Sequence, residues 1–214
     1  MSTITLYGYK LSSASYRVRI ALNTAGIEYD TVPVNLLTGE QKHAEHLARN
    51  PQGIVPALDI DGLMLTQSTA IIEYLDETRN LGFMPKDPVE RQRLRALANA
   101  IAMEIQPVCN SGLVAHVQEI AKGEPEQVRD DWMHKHIRHG LLAFETMLDH
   151  PNTGRFCHGD KPGLADFCLM PQIFNANRWG AKIDDMKRIN AIVDACNDLP
   201  AFQKAHPDQC AEIS

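Results

Sequence analysis

The chain has 214 residues, 44% of them hydrophobic and 22% charged, the balance of an ordinary globular protein with length for one large or two small domains. Its formal net charge of −6 argues against an electrostatically driven nucleic-acid binder. No apolar run reaches the length of a membrane span, the N-terminus lacks a signal peptide's apolar block, and the five cysteines show no CxxC pair or zinc-ligand spacing. A cytoplasmic protein with reduced thiols is expected.

Thr3 to Tyr7 alternates Ile4 and Leu6 with polar neighbours and predicts a short strand. A helix follows from about Ser15, with Val18, Ala21, Leu22 and Ala25 recurring on one face and Gly26 suited to its end. Tyr29 to Val34 alternates again as a second strand. After a polar segment with Gln41, His43 and His46, residues Val55 to Ile60 predict a third. Asp61-Gly62 is a strong two-residue hairpin signal leading into Leu63-Met64-Leu65. Gln67-Ser68 opens another helix, with Ile71, Ile72 and Leu75 on its buried side. The order β-α-β, then β-β-α, is a thioredoxin-like arrangement without redox cysteines.

Gly82, Pro85 and Pro88 mark a linker over 81–89 that closes a first domain of 1–80. The remainder, 90–214, reads as all-helical: Glu90 to about Lys122, kinked at Pro107, then Glu126 to Asp149, Leu164 to Trp179, and Asp185 to Asn197. Trp132 and Phe144 are expected in its core. His134, His136 and His139 form the one histidine cluster, but 134 and 136 point to different faces of a helix, so no metal site is expected.

The chemistry concentrates at Ser12-Ser13-Ala14-Ser15-Tyr16-Arg17, where small residues and hydroxyls stand at a strand-to-helix turn. A helix N-terminus offers unpaired N–H groups and partial positive charge, and so favours an anion. A thiolate suits that place as well as a phosphate does; serines there also serve as simple caps.

These residues run on as Arg17-Val18-Arg19-Ile20-Ala21-Leu22. With Asn50-Pro51, Val55-Pro56, Gln67-Ser68, Ala70 to Leu75, Ile105-Gln106-Pro107, Gly159-Asp160, Ala165-Asp166, Leu169 and Pro171-Gln172, they form an ordered set across nearly the whole chain. The set resembles the zeta-class glutathione transferases, the maleylacetoacetate isomerase family. That resemblance implies the cytosolic glutathione transferase fold, a thioredoxin-like α/β N-terminal domain plus an all-α C-terminal domain, pairing as a homodimer. It implies glutathione as cofactor, with the cysteinyl sulfur held by the turn from Ser12 to Arg17 (Ser12, Ser13, Ala14, Ser15, Tyr16, Arg17) and Ser12 or Ser13 donating to the thiolate. A hydrogen bond to a charged acceptor is worth roughly 1.5–3 kcal/mol, which lowers a thiol's pKa by about one or two. Val55, before a cis Pro56, would pair with the tripeptide backbone. Gln67 and Ser68 would take the γ-glutamyl carboxylate. Gln41, Gln106, Asn110, Ser111 and Gly112 match further contact positions.

The implied activity is cis–trans isomerisation of maleylacetoacetate, a small anionic enedione acid, to fumarylacetoacetate by reversible thiolate addition, a step of tyrosine and phenylalanine breakdown. Arg178 is the candidate for the substrate carboxylate, as a fixed cation with a planar fork; its other reading is a solvated helix-end arginine. Arg17 and Arg19 are expected to form ion pairs around the first helix. Three departures from the family pattern stand out: Ala14 in place of a cysteine, Gly163 at a usual Ser/Thr cap, and Leu11 where a basic residue often precedes the serines. Rival readings are maleylpyruvate isomerisation, general conjugation of small electrophiles, and a non-catalytic binding module.

Overall fold

Four short strands and the helices they carry make up the first part of the chain. The computed structural model describes residues 4–210; Thr3, where the first strand is expected to begin, lies outside them. Strand β1 (Thr5–Gly8) leads to helix α1 (Ser13–Thr24), then β2 (Asp30–Pro33), a 3₁₀ turn (Glu40–Lys42) and α2 (Ala44–Arg49). Next come β3 (Ala57–Ile60), β4 (Leu63–Thr66) and α3 (Ser68–Arg79). The sheet order is β2-β1-β3-β4, with β2 parallel to β1 and the other pairs antiparallel. Ile60 pairs with Leu63, leaving Asp61 and Gly62 as a two-residue loop, both at positive φ as a type I′ turn requires.

The apolar face of α1 is deeply covered: Val18, Ile20, Ala21 and Leu22 have no exposed surface. Burying each aliphatic side chain contributes roughly 1.5–3 kcal/mol. Ile71, Ile72 and Leu75 do the same from α3, the positions that the sequence pattern predicts. Gly26, at φ +66°, ends α1 where a side chain would be strained. The polar segment around His46 is helical, although periodicity did not predict it; six residues are too few for an apolar stripe.

The chain divides by its contacts into two units, one formed by residues up to Phe83 and from Asn197 onward, the other by Met84–Cys196. The boundary after Phe83 falls within 81–89, where Asp76 Oδ1 accepts from the Phe83 amide at 2.8 Å. The terminal segment, expected with the helical run, clusters with the first unit.

The second unit begins with α4 (Pro88–Asn99), capped by Asp87 Oδ1, which accepts from the amides of Val89 and Glu90. It continues as a π-helical segment (Ala100–Ile105) and a single turn, α5 (Gln106–Val108). Then α6 (Ser111–Ile120), α7 (Pro125–Met147) and α8 (Leu164–Arg178) follow, with α9 (Lys187–Asn197) closing the unit. The expected single kinked helix over Glu90–Lys122 is therefore broken: Asn110 is extended and the chain restarts at Ser111. Pro107 removes one amide from the ladder, and Asn110 offers its side chain to the next helix instead. Gly140 lets α7 approach the π segment, because a Cβ there would lie 2.3 Å from Ile105 Cγ1.

Asp166 is fully buried at the start of α8 and accepts from the amides of Cys157 (2.9 Å) and Gly163 (2.8 Å), so the first turn is held despite the glycine cap. Helix α10 (Pro200–Ala205), which the sequence reading did not mark, packs on α1 in the first unit. Arg19 Nε donates to the Ala205 carbonyl at 2.9 Å and its Nη2 to the Lys10 carbonyl at 3.1 Å. Arg19 thus satisfies backbone carbonyls in place of the expected ion pair.

Candidate functional site

In the first unit, the turn between β1 and α1 splits into an exposed and a buried half. Ser12 caps α1: its backbone is extended and its Oγ accepts from the Ser15 amide at 3.3 Å, leaving its own hydroxyl proton free to donate. The first main-chain bond of the helix runs from the Tyr16 amide to the Ser12 carbonyl. The Ser13 and Ala14 amides, ahead of it, have no intrahelical acceptor and point out of the helix start. Ser12, Ser13 and Ala14 are partly exposed.

Ser15, Tyr16 and Arg17 are buried and serve the scaffold. Ser15 Oγ accepts from the Tyr9 amide at 3.3 Å, and a Cβ at Gly8 would lie 3.1 Å from that oxygen. A side chain at position 8 would require Ser15 to give way by a few tenths of an ångström. The Tyr16 ring lies edge-on to His206, 6.0 Å between centres, with the Arg19 guanidinium 5.1 Å from it. Arg17 Nη1 donates to Ser68 Oγ at 3.3 Å, joining the second turn of α1 to the start of α3.

Gln67, just before α3, has φ +66° and ψ +106°, a conformation non-glycine residues rarely take. Such outliers persist where the surroundings enforce them and cluster at ligand-binding positions. Its amide nitrogen donates to Gln52 Oε1 at 2.7 Å. Ile71 N–H is the first α3 amide bonded back to Gln67, so those of Ser68, Thr69 and Ala70 precede the ladder and face an anion well.

The loop before β3 is stapled from below. Ile54 carbonyl accepts from Asn50 Nδ2 at 2.8 Å and contacts His46 Nε2 at 2.9 Å. Val55-Pro56 is cis, as the resemblance implies, and sheet pairing starts only at Ala57. Val55 therefore presents its main chain ahead of the ladder while its side chain packs on Tyr9 and Val34. Gln41 is half-buried, and its Oε1 is covered without a hydrogen-bond partner. Glutathione fits this arrangement: it brings a thiol, a carboxylate, amide donors for a lone acceptor such as Gln41 Oε1, and an extended backbone. His46, which the sequence reading passed over, belongs to the support of this site; a histidine eight residues before the Ile54 carbonyl gives no local signal.

In the second unit, Gln106 is half-buried at the end of the π segment, whereas Asn110, Ser111 and Gly112 are exposed at the start of α6. Asn110 Oδ1 caps the Gly112 amide at 2.9 Å. Trp132 is not the core residue expected: half-buried, it donates Nε1–H to the Val108 carbonyl at 2.8 Å and stacks on His136, 4.2 Å between centres. It thereby ties α7 to the turn after Gln106. Phe144 is fully buried, as expected. Arg178 is exposed at the end of α8.

Three of the chain's own thiols are poorly suited to nucleophilic work. None of the five cysteines is in a disulfide. Burial pushes Cys109 up to about 11 and raises Cys157 and Cys196 well beyond the ordinary thiol range. With Ala14 in place of a cysteine, the turn itself carries no thiol. Among the described residues, no group of three or more His, Cys, Asp or Glu could hold a metal ion, and no helix is long and apolar enough to cross a membrane.

Comparisons with known proteins agree with this geometry. Residues 2–77 match the family model described as the N-terminal domain of glutathione S-transferase. The maleylacetoacetate isomerase of Rhizobium meliloti (strain 1021) is 58% identical over 205 residues, 95% of this chain and 96% of that protein. Among solved structures, the holo form of a bacterial zeta-class maleyl pyruvate isomerase superposes with a TM-score of 0.93 at 35% identity, covering 98% of this chain and 100% of that one. The maleylacetoacetate isomerase of Methylobacterium extorquens AM1, with malonate and glutathione bound, gives 0.91 at 36% identity, covering 97% and 98%.

Proposed function

The chain belongs to the glutathione S-transferase family, in its zeta class, and from that premise we propose that it is a glutathione-dependent isomerase converting maleylacetoacetate to fumarylacetoacetate. The observation that carries this reading is the 58% identity to a maleylacetoacetate isomerase along nearly the full length of both proteins. When bound, glutathione supplies a thiolate that adds reversibly to the cis double bond, so that the link rotates and the thiolate leaves from the trans product.

The chain's residues have three tasks. Ser12 and Ser13 hold the sulfur anionic: a donated hydroxyl hydrogen bond of roughly 1.5–3 kcal/mol brings a thiol of ordinary pKa near 8.5 close to neutrality. The Ser13 and Ala14 amides add positive potential without reorganisation as charge develops. Gln67, Ser68 and the free amides of α3 take the γ-glutamyl carboxylate, while Val55 and Gln41 hold the backbone. Arg178 holds a substrate carboxylate, and polycarboxylate binding in the Methylobacterium relative supports an anionic substrate. In this reading the protein is a cytoplasmic homodimer; the exposed Leu63 and Met64 on edge strand β4 support a covered surface there.

Maleylpyruvate isomerisation is the second reading, favoured by the close superposition on a maleyl pyruvate isomerase. Pure protein with glutathione and either acid, coupled to the matching hydrolase, separates the two by loss of the enedione absorbance. The expected result is faster turnover of maleylacetoacetate, none without glutathione. Glutathione binding with no turnover of either acid would overturn the isomerase in favour of a conjugating or binding role.

A further inference from the structure

The indole of Trp179 has two cations against it, contributed by different helices of the second unit. The Arg178 Cζ lies 5.2 Å from the ring centre and the Arg129 Cζ, from the second turn of α7, lies 5.0 Å from it. The two guanidiniums are thus no further apart than those distances combined. His134, also on α7, contacts the Trp179 carbonyl and fixes the helix end that carries the ring. Arg129 Nε donates to Asp130 Oδ1 at 2.9 Å; Arg178 makes no ion pair among the described residues. Two like charges sharing one ring repel, and Asp130 offsets one of them. Cation–π contact with the indole lessens that repulsion without removing the surplus positive charge. One surplus positive charge remains at the ring, and Arg129 donates to Asp130 through Nε, which leaves the Nη groups of both guanidiniums to receive carboxylates.

We infer that Arg129 is a specificity-determining residue: with Arg178 it forms a two-cation clamp on Trp179 that holds both carboxylates of a dicarboxylate substrate, one on each guanidinium. The inference rests on the isomerase reading and extends it, because maleylacetoacetate carries a carboxylate at each end and Arg178 can neutralise only one. The planar fork of arginine suits this task, accepting a carboxylate in two parallel hydrogen bonds.

The test compares Arg129→Gln, Arg129→Lys and Arg178→Gln on maleylacetoacetate and on maleylacetone, which lacks the carboxylate of the acetoacetyl end. Both Gln variants are expected to lower kcat/KM for the diacid roughly tenfold or more, with Arg129→Lys in between. One variant, and one only, should match the wild type on maleylacetone; which one assigns the two ends. An Arg129→Gln that turns over maleylacetoacetate like the wild type, or equal losses on both substrates in both Gln variants, overturns the clamp. A readout independent of turnover is tryptophan fluorescence titrated with adipate and, as a single-charge control, hexanoate. Adipate alone should change the emission, and Trp179→Phe and Arg129→Gln should each abolish the change. An adipate response in a protein that isomerises neither acid keeps the clamp and removes the isomerase reading. No adipate response in the wild type overturns the clamp.

Discussion

Two helix starts carry candidate site residues, α1 in the first unit and α6 in the second, and locally they are alike. Ser12 and Asn110 are both extended caps whose side chains accept from an amide of the first turn, at 3.3 and 2.9 Å. Their surroundings differ. Eight residues of α1, from Ser15 to Leu22, are buried, whereas Val114 is the one buried residue of α6. The hydroxyl-rich turn before α1 is therefore built into a core, and the turn before α6 is held by a few contacts such as Trp132 on Val108. Chemistry tolerates little displacement, and rigidity belongs where charge is stabilised. A lightly anchored helix start can vary in sequence without loss of fold.

The largest test of this contrast is Ser12→Ala. Turnover should fall roughly 10–100-fold at neutral pH, the worth of one hydrogen bond to a charged acceptor. The deficit should shrink as the pH approaches 9, where a thiol of ordinary pKa ionises unaided. A deficit constant across pH would reduce Ser12 to a cap. Gly8→Ala comes next: its Cβ would press on Ser15 Oγ and Cβ at 3.1 and 3.2 Å, and overpacking of this kind costs about 1–3 kcal/mol. Urea denaturation should show the loss, with weaker glutathione binding as α1 shifts.

Asn110→Ala removes the equivalent cap in the exposed helix, a local cost of about 1 kcal/mol. Hydrogen exchange should quicken in the first turn of α6 while the global denaturation midpoint barely moves; a large global loss would show that α6 is as integral as α1. The smallest effect is acidification. Burial, helped by nearby positive charge, lowers the pKa of His136 and His158 in the second unit. The folded state thus favours their neutral forms, a stabilisation complete above the ordinary histidine range and lost as pH falls through the lowered values. Tm should decline slightly from pH 7 to pH 5, and less so in the His136→Gln, His158→Gln double variant.

The hairpin at Asp61-Gly62, the glycine end of α1, the buried faces of α1 and α3, and the hydroxyl-rich turn were all legible because each depends on residues within one or two turns of one another. Periodicity alone ran Glu90 to Lys122 together as one helix, since the pattern carries across Asn110 and a proline marks a kink as readily as a stop. Helices α2 and α10 were too short to show a stripe. The same limit hid every support that spans the chain: Arg17 to Ser68, His46 to Ile54, Trp132 to Val108, and Arg129 with Arg178 on Trp179.

By itself, then, the sequence determined the order β-α-β then β-β-α of the first part, the helical character of the rest, and the place of the hydroxyl-rich turn, because strand alternation, helical spacing and caps are local physics written in consecutive residues. Only the tertiary structure decided that Ser15, Tyr16 and Arg17 face inward while Ser12 and Ser13 stay accessible, that Trp132 braces a turn, and that two arginines meet on one ring. Those outcomes depend on which residues packing brings together across tens of positions, and no local pattern encodes that distance.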